Sequence, residues 1–238
     1  MDNTTYITLS RQTALRRQMD ILAHNLANAS TTAFKAEAPL FSEYLARAGG
    51  QRELAFVQDK GSMRDTSEGP MHRTGNPLDL AIHGDAYFVI QTDRGERYTR
   101  NGHFLLDGEG NLVTSADNQV LDVDGREIQI PRDQTGITIS SDGSISGVNG
   151  PIARLQLVEF ANPQGLRREA NSLYVTSDDP QEPREASVIQ GMLEQSNVKP
   201  IVEMTNMINL HRSYQSNNKL VDTEDQLQRR TIDRIMRA

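Results

Sequence analysis

Apolar residues recur at helical spacing near the start of the chain. Between Thr4 and Thr32 there is no Gly or Pro, and a stripe of apolar residues steps by four, three, four and three positions: Leu15, Met19, Leu22, Leu26 and Ala29. Polar residues such as Arg16 and Asp20 lie off this stripe, as on an amphipathic helix. The pattern predicts an N-terminal helix with a short heptad seam within residues 1–35. A helix packed on the core of its own domain would show the same stripe, so spacing leaves both arrangements open.

A second run without Gly or Pro extends from Ile201 to Ala238. It keeps a three- and four-residue spacing, with polar interruptions at Asn218, Asp225 and Gln228, through the following residues: Met204, Met207, His211, Tyr214, Val221, Ile232 and Ile235. This pattern predicts a long C-terminal helix with a weaker seam, in a segment covering residues 191–238. We expect the two terminal helices to pair as a coiled-coil-like inner domain. For the helices to meet, the segment between them must bring the chain back to its starting point.

The middle of the chain has a different pattern, in which short β-prone runs alternate with Gly, Asn and Asp. Strands are predicted at residues 78–82, 87–92, 97–99, 104–106, 112–114, 128–130, 137–140 and 152–160. Turn residues such as Asp124-Gly125 and Asp142-Gly143 tolerate positive φ and favour antiparallel hairpins. We therefore predict an α+β fold with an all-β outer domain over residues 76–190. Residues 36–75 and 177–185 are expected to be extended connectors.

The composition adds a hint of assembly. Only 36% of the 238 residues are hydrophobic and 5% are aromatic, with no Trp, so part of the chain is expected to need a partner to cover its apolar surface. There is no Cys, which excludes disulfides and thiolate sites. No apolar run approaches the roughly 20 residues that cross a bilayer. The first residues also lack the pattern of a secretory signal, so another export route is expected if the protein leaves the cytoplasm.

Charge is distributed unevenly along the chain. Residues 1–35 carry four basic and two acidic side chains (+2), residues 36–197 carry 14 and 25 (−11), and residues 198–238 carry seven and five (+2). An acidic middle repels polyanions, so nucleic acid is not expected to be a partner.

Residues that could carry chemistry are scattered. The chain has five histidines: His24, His72, His83, His103 and His211. Their spacing matches no metal-binding motif, and neither a phosphate-binding loop nor a G-x-S-x-G elbow occurs. Residues 107–111 place oxygen ligands at alternate positions, but Leu112 and Asn118 stand where a calcium loop has Gly and Glu, so a hairpin turn is the simpler interpretation. We predict no catalytic, metal-binding or cofactor-binding residue and no enzymatic activity.

Two asparagines on the first helix are more informative. Asn25 and Asn28 lie three positions apart beside the apolar stripe. They are either polar residues on a solvated face or residues that form hydrogen bonds across a helix–helix interface and fix its register.

Three sequence signatures occur along the chain. The first is MDILAHNLAN at residues 19–28 with TTAFK at 31–35, and the second is GMLE at 191–194 with SNV at 196–198 and the helix that follows. The third lies in the β region, with TGNPLDLAI at 74–82, YFVI at 87–90 and RYTRNG at 97–102. Together they resemble the signatures of flagellar axial proteins, the rod and hook family. The opening residues and the modest length look more like the proximal-rod members than the distal-rod members.

The resemblance implies a structural subunit of the basal-body rod, the drive shaft that transmits motor torque. It implies assembly with copies of the same chain and with other rod proteins in the periplasm, and export through the flagellar type III apparatus without a cleavable signal peptide. The signatures and the two seams together place the assembly interface at the following residues: Leu15, Met19, Leu22, Asn25, Leu26, Asn28, Phe34, Asn197, Met204, Met207, Ile208, Tyr214 and Asn217.

The chain departs from the family pattern at three positions. His24 and Ser30 stand where the family usually has Asn, and Ala33 stands where it usually has Gly. A Gly at this position would suit a left-handed turn, in which Ala costs about 1 kcal/mol. The chain is therefore expected either to make this turn or to remain helical for longer.

Two alternative functions stay open at this point. One is a distal-rod subunit of the same family. The other is a periplasmic protein that binds or hydrolyses cell-wall glycans through its β domain, which predicts catalytic carboxylates in a cleft.

Overall fold

The computed structural model of the chain describes residues 2–48, 52–131, 134 and 136–236. The chain divides into two compact units. We call the first the helical unit, and it comprises Met1–Ala29, Ala36–Asp65 and Val198–Ala238. We call the second the β unit, and it comprises Ser30–Lys35 and Thr66–Asn197.

The helical unit contains the two predicted terminal helices and a long hairpin. Helix α1 spans Asp2–Ala27, strands β1 and β2 span Glu37–Ala48 and Arg52–Arg64, and helix α2 spans Pro200–Met236. Proline suits the first turn of α2, because its missing N–H has no partner within the helix there. Helix α1 contacts α2 and also both strands of the hairpin.

The hairpin replaces part of the connector expected over residues 36–75, so that expectation was wrong for residues 37–48 and 52–64. Strands β1 and β2 pair antiparallel, with a register shift between Leu40 and Phe41. Their sequences include several residue types that are depleted in strands, namely Ala, Glu, Pro, Asp, Lys and Gly, so local pattern did not reveal them. The pairing itself stabilises the strands.

The end of α1 resolves the expectation about Ala33. The helix ends at Ala27, and Ala33 adopts a left-handed conformation with a φ of 56°. Its N–H donates to the carbonyl oxygen of Glu194 at 2.8 Å. The chain therefore makes the left-handed turn, with Ala in the place where Gly would be unstrained.

The β unit is built from short strands. They are β3 (Met71–Arg73), β4 (Asp79–His83), β5 (Tyr87–Thr92), β6 (Gly95–Thr99), β7 (Gly102–Leu106), β8 (Leu112–Thr114), β9 (Gln119–Val120), β10 (Thr138–Ile139), β11 (Ser144–Gly147), β12 (Gly150–Arg154), β13 (Leu157–Val158), β14 (Arg167–Arg168), β15 (Leu173–Val175), β16 (Ser187–Gln190) and β17 (Met192–Glu194). Short 3-10 helices lie at Pro163–Gly165 and Ala170–Ser172. The α+β class is confirmed, and the strand pairings described are antiparallel as predicted.

Several predicted strand boundaries differ from the structure. Residues 128–130 form no strand, because Gln129 makes only an isolated bridge to Asn111. The single strand expected over 152–160 is divided into β12 and β13. Strand β17 lies in the segment that was assigned to the C-terminal helix, and it pairs with β3.

The main sheet orders its strands β14-β15-β6-β5-β9-β8-β7-β4-β16, and β13 pairs with β5. Strand β5 is buried on both faces: Phe88 and Ile90 belong to one apolar cluster, and Tyr87 and Val89 belong to another. Because successive side chains on a strand point to opposite faces, the sheet is covered on both sides around β5. This explains why YFVI is a continuous apolar run.

Candidate assembly interface

Helices α1 and α2 are joined by side-chain hydrogen bonds. Gln12 Nε2 donates to the hydroxyl oxygen of Tyr214 at 3.2 Å and to Oδ1 of Asn218 at 3.0 Å. Asn217 Nδ2 donates to the carbonyl oxygen of Thr8 at 3.2 Å, and Asn217 is buried. Two of the predicted interface residues, Tyr214 and Asn217, therefore contact α1 within the same chain.

The predicted stripe on α1 is only partly covered. Leu15, Met19, Leu22 and Leu26 are all half-buried, whereas the neighbouring residues Ile21 and Asn25 are buried. The buried face is shifted by one position because α1 packs against the hairpin as well as against α2.

The hydrogen bonds described for the two asparagines on α1 lie within the helical unit. Asn25 donates to the carbonyl oxygen of Glu37 at 2.8 Å and accepts from the N–H of Glu37 at 2.9 Å. The side-chain amide of Asn25 provides both the donor and the acceptor for the backbone carbonyl and N–H of Glu37. Asn25 therefore fixes the start of β1. Asn28 Nδ2 instead donates to the carbonyl oxygen of His24 at 2.9 Å, in the last turn of its own helix. A role of Asn25 and Asn28 at a helix–helix interface between subunits stays a prediction.

The covered face of α2 is rotated from the predicted seam. The more buried positions step by four, three, four, three and four: Glu203, Met207, Leu210, Tyr214, Asn217 and Val221. Met207, Tyr214 and Val221 belong to both patterns, but Met204 and His211 are exposed. The hydrogen bond from Asn217 to Thr8 accounts for part of this rotation, because it draws a polar side chain to the covered face.

A cleft of about 350 Å³ opens between α1, β1 and α2. Leu22, Pro39 and Leu210 provide apolar surface in it, and the amides of Asn206 and Asn209 also line it. Leu22, at the middle of the predicted α1 seam, therefore has one side open to this cleft.

The start of α2 carries an exposed apolar surface. Ile201 is 82% exposed, Val202 49%, Met204 52% and Ile208 53%. Glu203 is the single charged residue between positions 200 and 210, and it lies on the half-buried face. Met204 and Ile208 are among the predicted interface residues, whereas Ile201 and Val202 are not. The sequence feature that could have revealed Ile201 and Val202 is a helical turn with apolar residues on several faces rather than along one stripe.

Phe34 and Asn197 lie in the β unit. The ring of Phe34 is buried, and the guanidinium carbon of Arg168 lies 4.3 Å from its centroid. Asn197 donates its N–H to the carbonyl oxygen of Phe34 at 3.2 Å and its side-chain Nδ2 to that of Ser67 at 3.1 Å. These two predicted interface residues therefore hold together the fold of their own chain.

The calcium-like loop is the turn between β7 and β8. Asp107 Oδ1 accepts hydrogen bonds from the N–H groups of Glu109 at 2.7 Å and Asn111 at 2.9 Å, and Oδ2 accepts from Asn111 Nδ2 at 2.8 Å. These hydrogen bonds from Asn111 lower the pKa of Asp107. Within the described ranges no group of three potential metal ligands was found. In the same part of the chain, no helix combines the length and apolar character needed to cross a membrane.

Comparison with known proteins links the chain to the bacterial flagellum. Residues 6–35 match the family described as "Flagella basal body rod protein", residues 81–147 match the "Flagellar hook protein FlgE/F/G D1 domain", and residues 189–234 match "Flagellar basal body rod FlgEFG protein C-terminal". A flagellar basal-body rod protein FlgF of Caulobacter vibrioides is 39% identical, over 99% of this chain and 98% of its own length.

Other relatives carry related names. The FlgF protein of Mesorhizobium japonicum is 32% identical over 93% of this chain and 92% of its own length. The FlgG protein of Bacillus subtilis, also named a basal-body rod protein, is 33% identical over 95% of this chain and 97% of its own length.

Proposed function

The chain belongs to the flagellar basal-body rod protein family and is most like FlgF; from this premise we propose that its helical unit is the surface through which it polymerises in the rod. The chain is a structural subunit of the flagellar basal-body rod. The proposal concerns how this subunit assembles.

One observation carries the proposal, namely the exposed and nearly uncharged start of α2. Four apolar side chains there, those of Ile201, Val202, Met204 and Ile208, are about half or more exposed. Contiguous apolar surface of this kind marks interaction sites in soluble proteins, and its burial is worth about 25 cal/mol per Å². A neighbouring subunit that covers this surface would therefore stabilise the assembly.

We propose that the helices of neighbouring subunits bundle in a coiled-coil-like manner. The more covered positions of α2 already alternate by four and three residues, as in a heptad seam. The cleft beside Leu22 and Leu210 could accept an apolar side chain of a neighbour. Contacts between different surfaces of successive copies that do not close a ring would generate a helical tube.

We propose more specifically that the chain assembles in the proximal rod. Assembly in the distal rod is the second candidate, because both FlgF and FlgG proteins are among the relatives. In this proposal the partners are copies of the chain and other rod proteins, the location is the periplasmic rod, and the assembled tube transmits motor torque. Export is through the flagellar type III apparatus without a cleavable signal peptide. A strain with a defective export apparatus should therefore retain the full-length chain in the cytoplasm.

We also propose that the chain has no enzymatic activity, in line with a family of structural proteins. A muramidase assay on the purified chain tests this proposal against the cell-wall alternative. Hydrolysis of peptidoglycan at a rate proportional to the concentration of the purified chain, and absent from a mock purification, would overturn the proposal.

The assembly proposal is tested by Ile201→Asp in a strain that lacks this subunit. Ile201 lies in the first turn of α2, where a negative charge is favourable for the helix dipole, so the substitution should leave the helix intact. We expect the variant to be exported but absent from purified basal bodies. Val148→Asp is the matched control, because Val148 is also exposed, at 74%, but lies in the β unit. Normal incorporation of Ile201→Asp would contradict the proposal.

A further inference from the structure

A buried cluster of three charged residues lies in the β unit. The Glu194 side chain is fully buried, and its Oε1 lies 2.6 Å from Lys35 Nζ while its Oε2 lies 2.8 Å from Arg100 Nε. Lys35 and Arg100 are themselves only 3% and 2% exposed in their side chains. Each residue belongs to a different one of the three signatures of the sequence, although Lys35 and Glu194 are 159 positions apart.

The remaining polar atoms of the cluster are bound by backbone groups. Gly69 N–H donates to Glu194 Oε1 at 2.9 Å, and Lys35 Nζ donates to the carbonyl oxygen of Ser67 at 2.7 Å. Arg100 donates to three carbonyl oxygens, those of Ile82, Gly84 and Ala86, at 2.8 to 3.2 Å. The cluster is therefore well hydrogen-bonded, which buried charges require.

Backbone contacts interlock the segments that carry these residues. Ala33 N–H donates to the carbonyl oxygen of Glu194 at 2.8 Å, and Gln195 N–H donates to that of Pro70 at 2.9 Å. A Cβ atom on Gly69 would lie 1.9 Å from the carbonyl oxygen of Gln195, so only Gly permits this close approach. Residues 30–35, 66–70 and 194–197 thus form one packed junction.

The junction lies next to the points at which the chain passes between the two units. The chain passes between the helical unit and the β unit at residues 29/30, 35/36, 65/66 and 197/198. Each passage is adjacent to, or within a few residues of, a member of the junction. The junction therefore determines where the chain enters and leaves the β unit.

Lys35 is not needed to neutralise the buried carboxylate. Glu194 is already paired with Arg100 and accepts the N–H of Gly69. Burial, followed by the positive charge of Arg100, lowers the pKa of Lys35 despite the pair with Glu194. A buried charge that costs desolvation without being required for neutrality is expected to contribute specificity more than stability.

We infer that Lys35 is a positioning residue, whose ammonium group fixes residues 30–35 against residues 66–70 and 194–197 and so sets where the chain leaves the β unit toward both terminal helices. The inference rests on the proposed function for its consequence in the rod, but not for its consequence in the isolated chain.

The first test is Lys35→Met in the purified full chain. The substitution keeps an unbranched side chain as far as the ε position, removes the ammonium group, and leaves the Arg100–Glu194 pair intact. We expect Tm to be unchanged or raised, while the amides of Ala33 and Asn197 exchange at least tenfold faster and those of β5 exchange as before. Glu194→Gln should, in contrast, lower Tm, because it leaves Lys35 and Arg100 facing each other without their anion.

The matched control is Arg97→Met, which breaks the Arg97–Glu169 pair of 2.9 Å in the same unit without touching the junction. It should leave the exchange of Ala33 and Asn197 unchanged. If Lys35→Met lowers Tm and speeds exchange in β5 in parallel, Lys35 is a general stabilising residue and the inference fails. It also fails if Ala33 and Asn197 keep their protection.

The second test places Lys35→Met in a strain that lacks this subunit. We expect its incorporation into basal bodies to fall at least tenfold although the chain is folded. If exchange changes as expected but incorporation is normal, the role of the junction in the rod is overturned, while the helical interface remains tested separately by Ile201→Asp.

Discussion

The β unit and the helical unit bury their apolar side chains to very different degrees. In the β unit, Phe88, Phe104 and Ile145 are fully buried within an extended apolar cluster, and a second cluster covers the other face around β5. In the helical unit, as far as its side chains are described, Ile21 and Val198 are the buried apolar residues. The same chain therefore combines a unit with a complete core and a unit without one.

The unequal lengths of the two helices explain part of the difference in burial. Helix α2 has 37 residues and α1 has 26, so 11 residues of α2, about 16 Å at 1.5 Å per residue, exceed the length of α1. Apolar residues near the end of α2 are accordingly exposed, with Leu227 at 51%, Ile232 at 55% and Ile235 at 72%. The comparison suggests that the β unit folds as a module and that the helical unit is completed by its neighbours.

Truncation of a core side chain should give the largest effect, and only in the β unit. Phe104 is fully buried and packs edge-on against Phe88, with ring centroids 5.1 Å apart. Phe104→Ala should lower the free energy of unfolding by about 3 to 5 kcal/mol, because it leaves a cavity. Urea unfolding followed by circular dichroism measures this. Leu105→Ala, at the next position and 43% exposed, is the control, and equal losses for both variants would show that the β core is loosely packed.

A charge in the helical unit should act on assembly and not on the β unit. Leu22 is half-buried beside the open cleft. Leu22→Asp should leave the melt of the β unit unchanged but abolish incorporation into the rod and motility, since an unpaired charge in a buried interface costs about 3 to 5 kcal/mol. Swimming assays and basal-body purification measure the effect, with Leu22→Met as the control. Normal swimming of Leu22→Asp would mean that this side of α1 faces solvent in the rod.

A smaller effect is expected where the chain leaves the helical unit. Ala33 has a φ of 56°, a conformation that costs an L-residue about 1 kcal/mol or more and Gly nothing. Ala33→Gly should therefore stabilise the chain by up to about 1 kcal/mol, less what is lost in unfolded-state entropy and packing. Ala86→Gly is the control, because Ala86 is also buried but has an ordinary backbone, and it should destabilise. If both variants destabilise equally, the left-handed turn is not strained.

Acidic pH should lower the thermal stability of the β unit slightly, through aspartates in two of its turns. The folded-state pKa of Asp107 is lowered by hydrogen bonds from Asn111, and that of Asp142 by hydrogen bonds from Ser144. Their contribution is complete above the unfolded-state pKa of about 4 and is lost as pH falls through the lower folded-state values. The drop in Tm below about pH 4 should be reduced in Asp107→Asn but not in Asp93→Asn, an exposed control. A drop of the same size in wild type and Asp107→Asn would exclude Asp107 as a contributor.

Local pattern predicted most elements of both units, because helix and strand periods are properties of short segments. The strands β4 to β8 lie within a few residues of their predicted positions, and α1 and α2 lie inside the predicted segments 1–35 and 191–238 but are shorter than them. The β1–β2 hairpin was not predictable in this way, since its residues favour no strand until they pair. Nor could the pattern reveal the order of the main sheet, which depends on contacts between distant segments.

The candidate site was predictable in part, for the same reason. Part of the apolar surface of α1 and α2 was predicted, but Ile201 and Val202 were not, and the covered face of α2 depends on a hydrogen bond from Asn217 to Thr8, 209 positions apart. The charged junction was missed because Lys35, Arg100 and Glu194 are each an ordinary polar residue in its own signature. Their common feature, one charged residue in each of three signatures, becomes a cluster only in three dimensions.

Amide hydrogen exchange on the purified monomer tests the difference between the two units most directly. If the helical unit is completed only on assembly, amides of α1 and α2 should exchange almost at once, whereas those of Tyr87 to Ile90 in β5 should stay protected for as long as the β unit remains folded. Burial of the α1 seam yields at most about 1.5 to 3 kcal/mol for each large apolar side chain, and these side chains are only half-buried in the single chain. Strong protection of residues 22–28 in a verified monomer would instead show that the helical unit is already stable by itself, and folding on assembly would have to be abandoned.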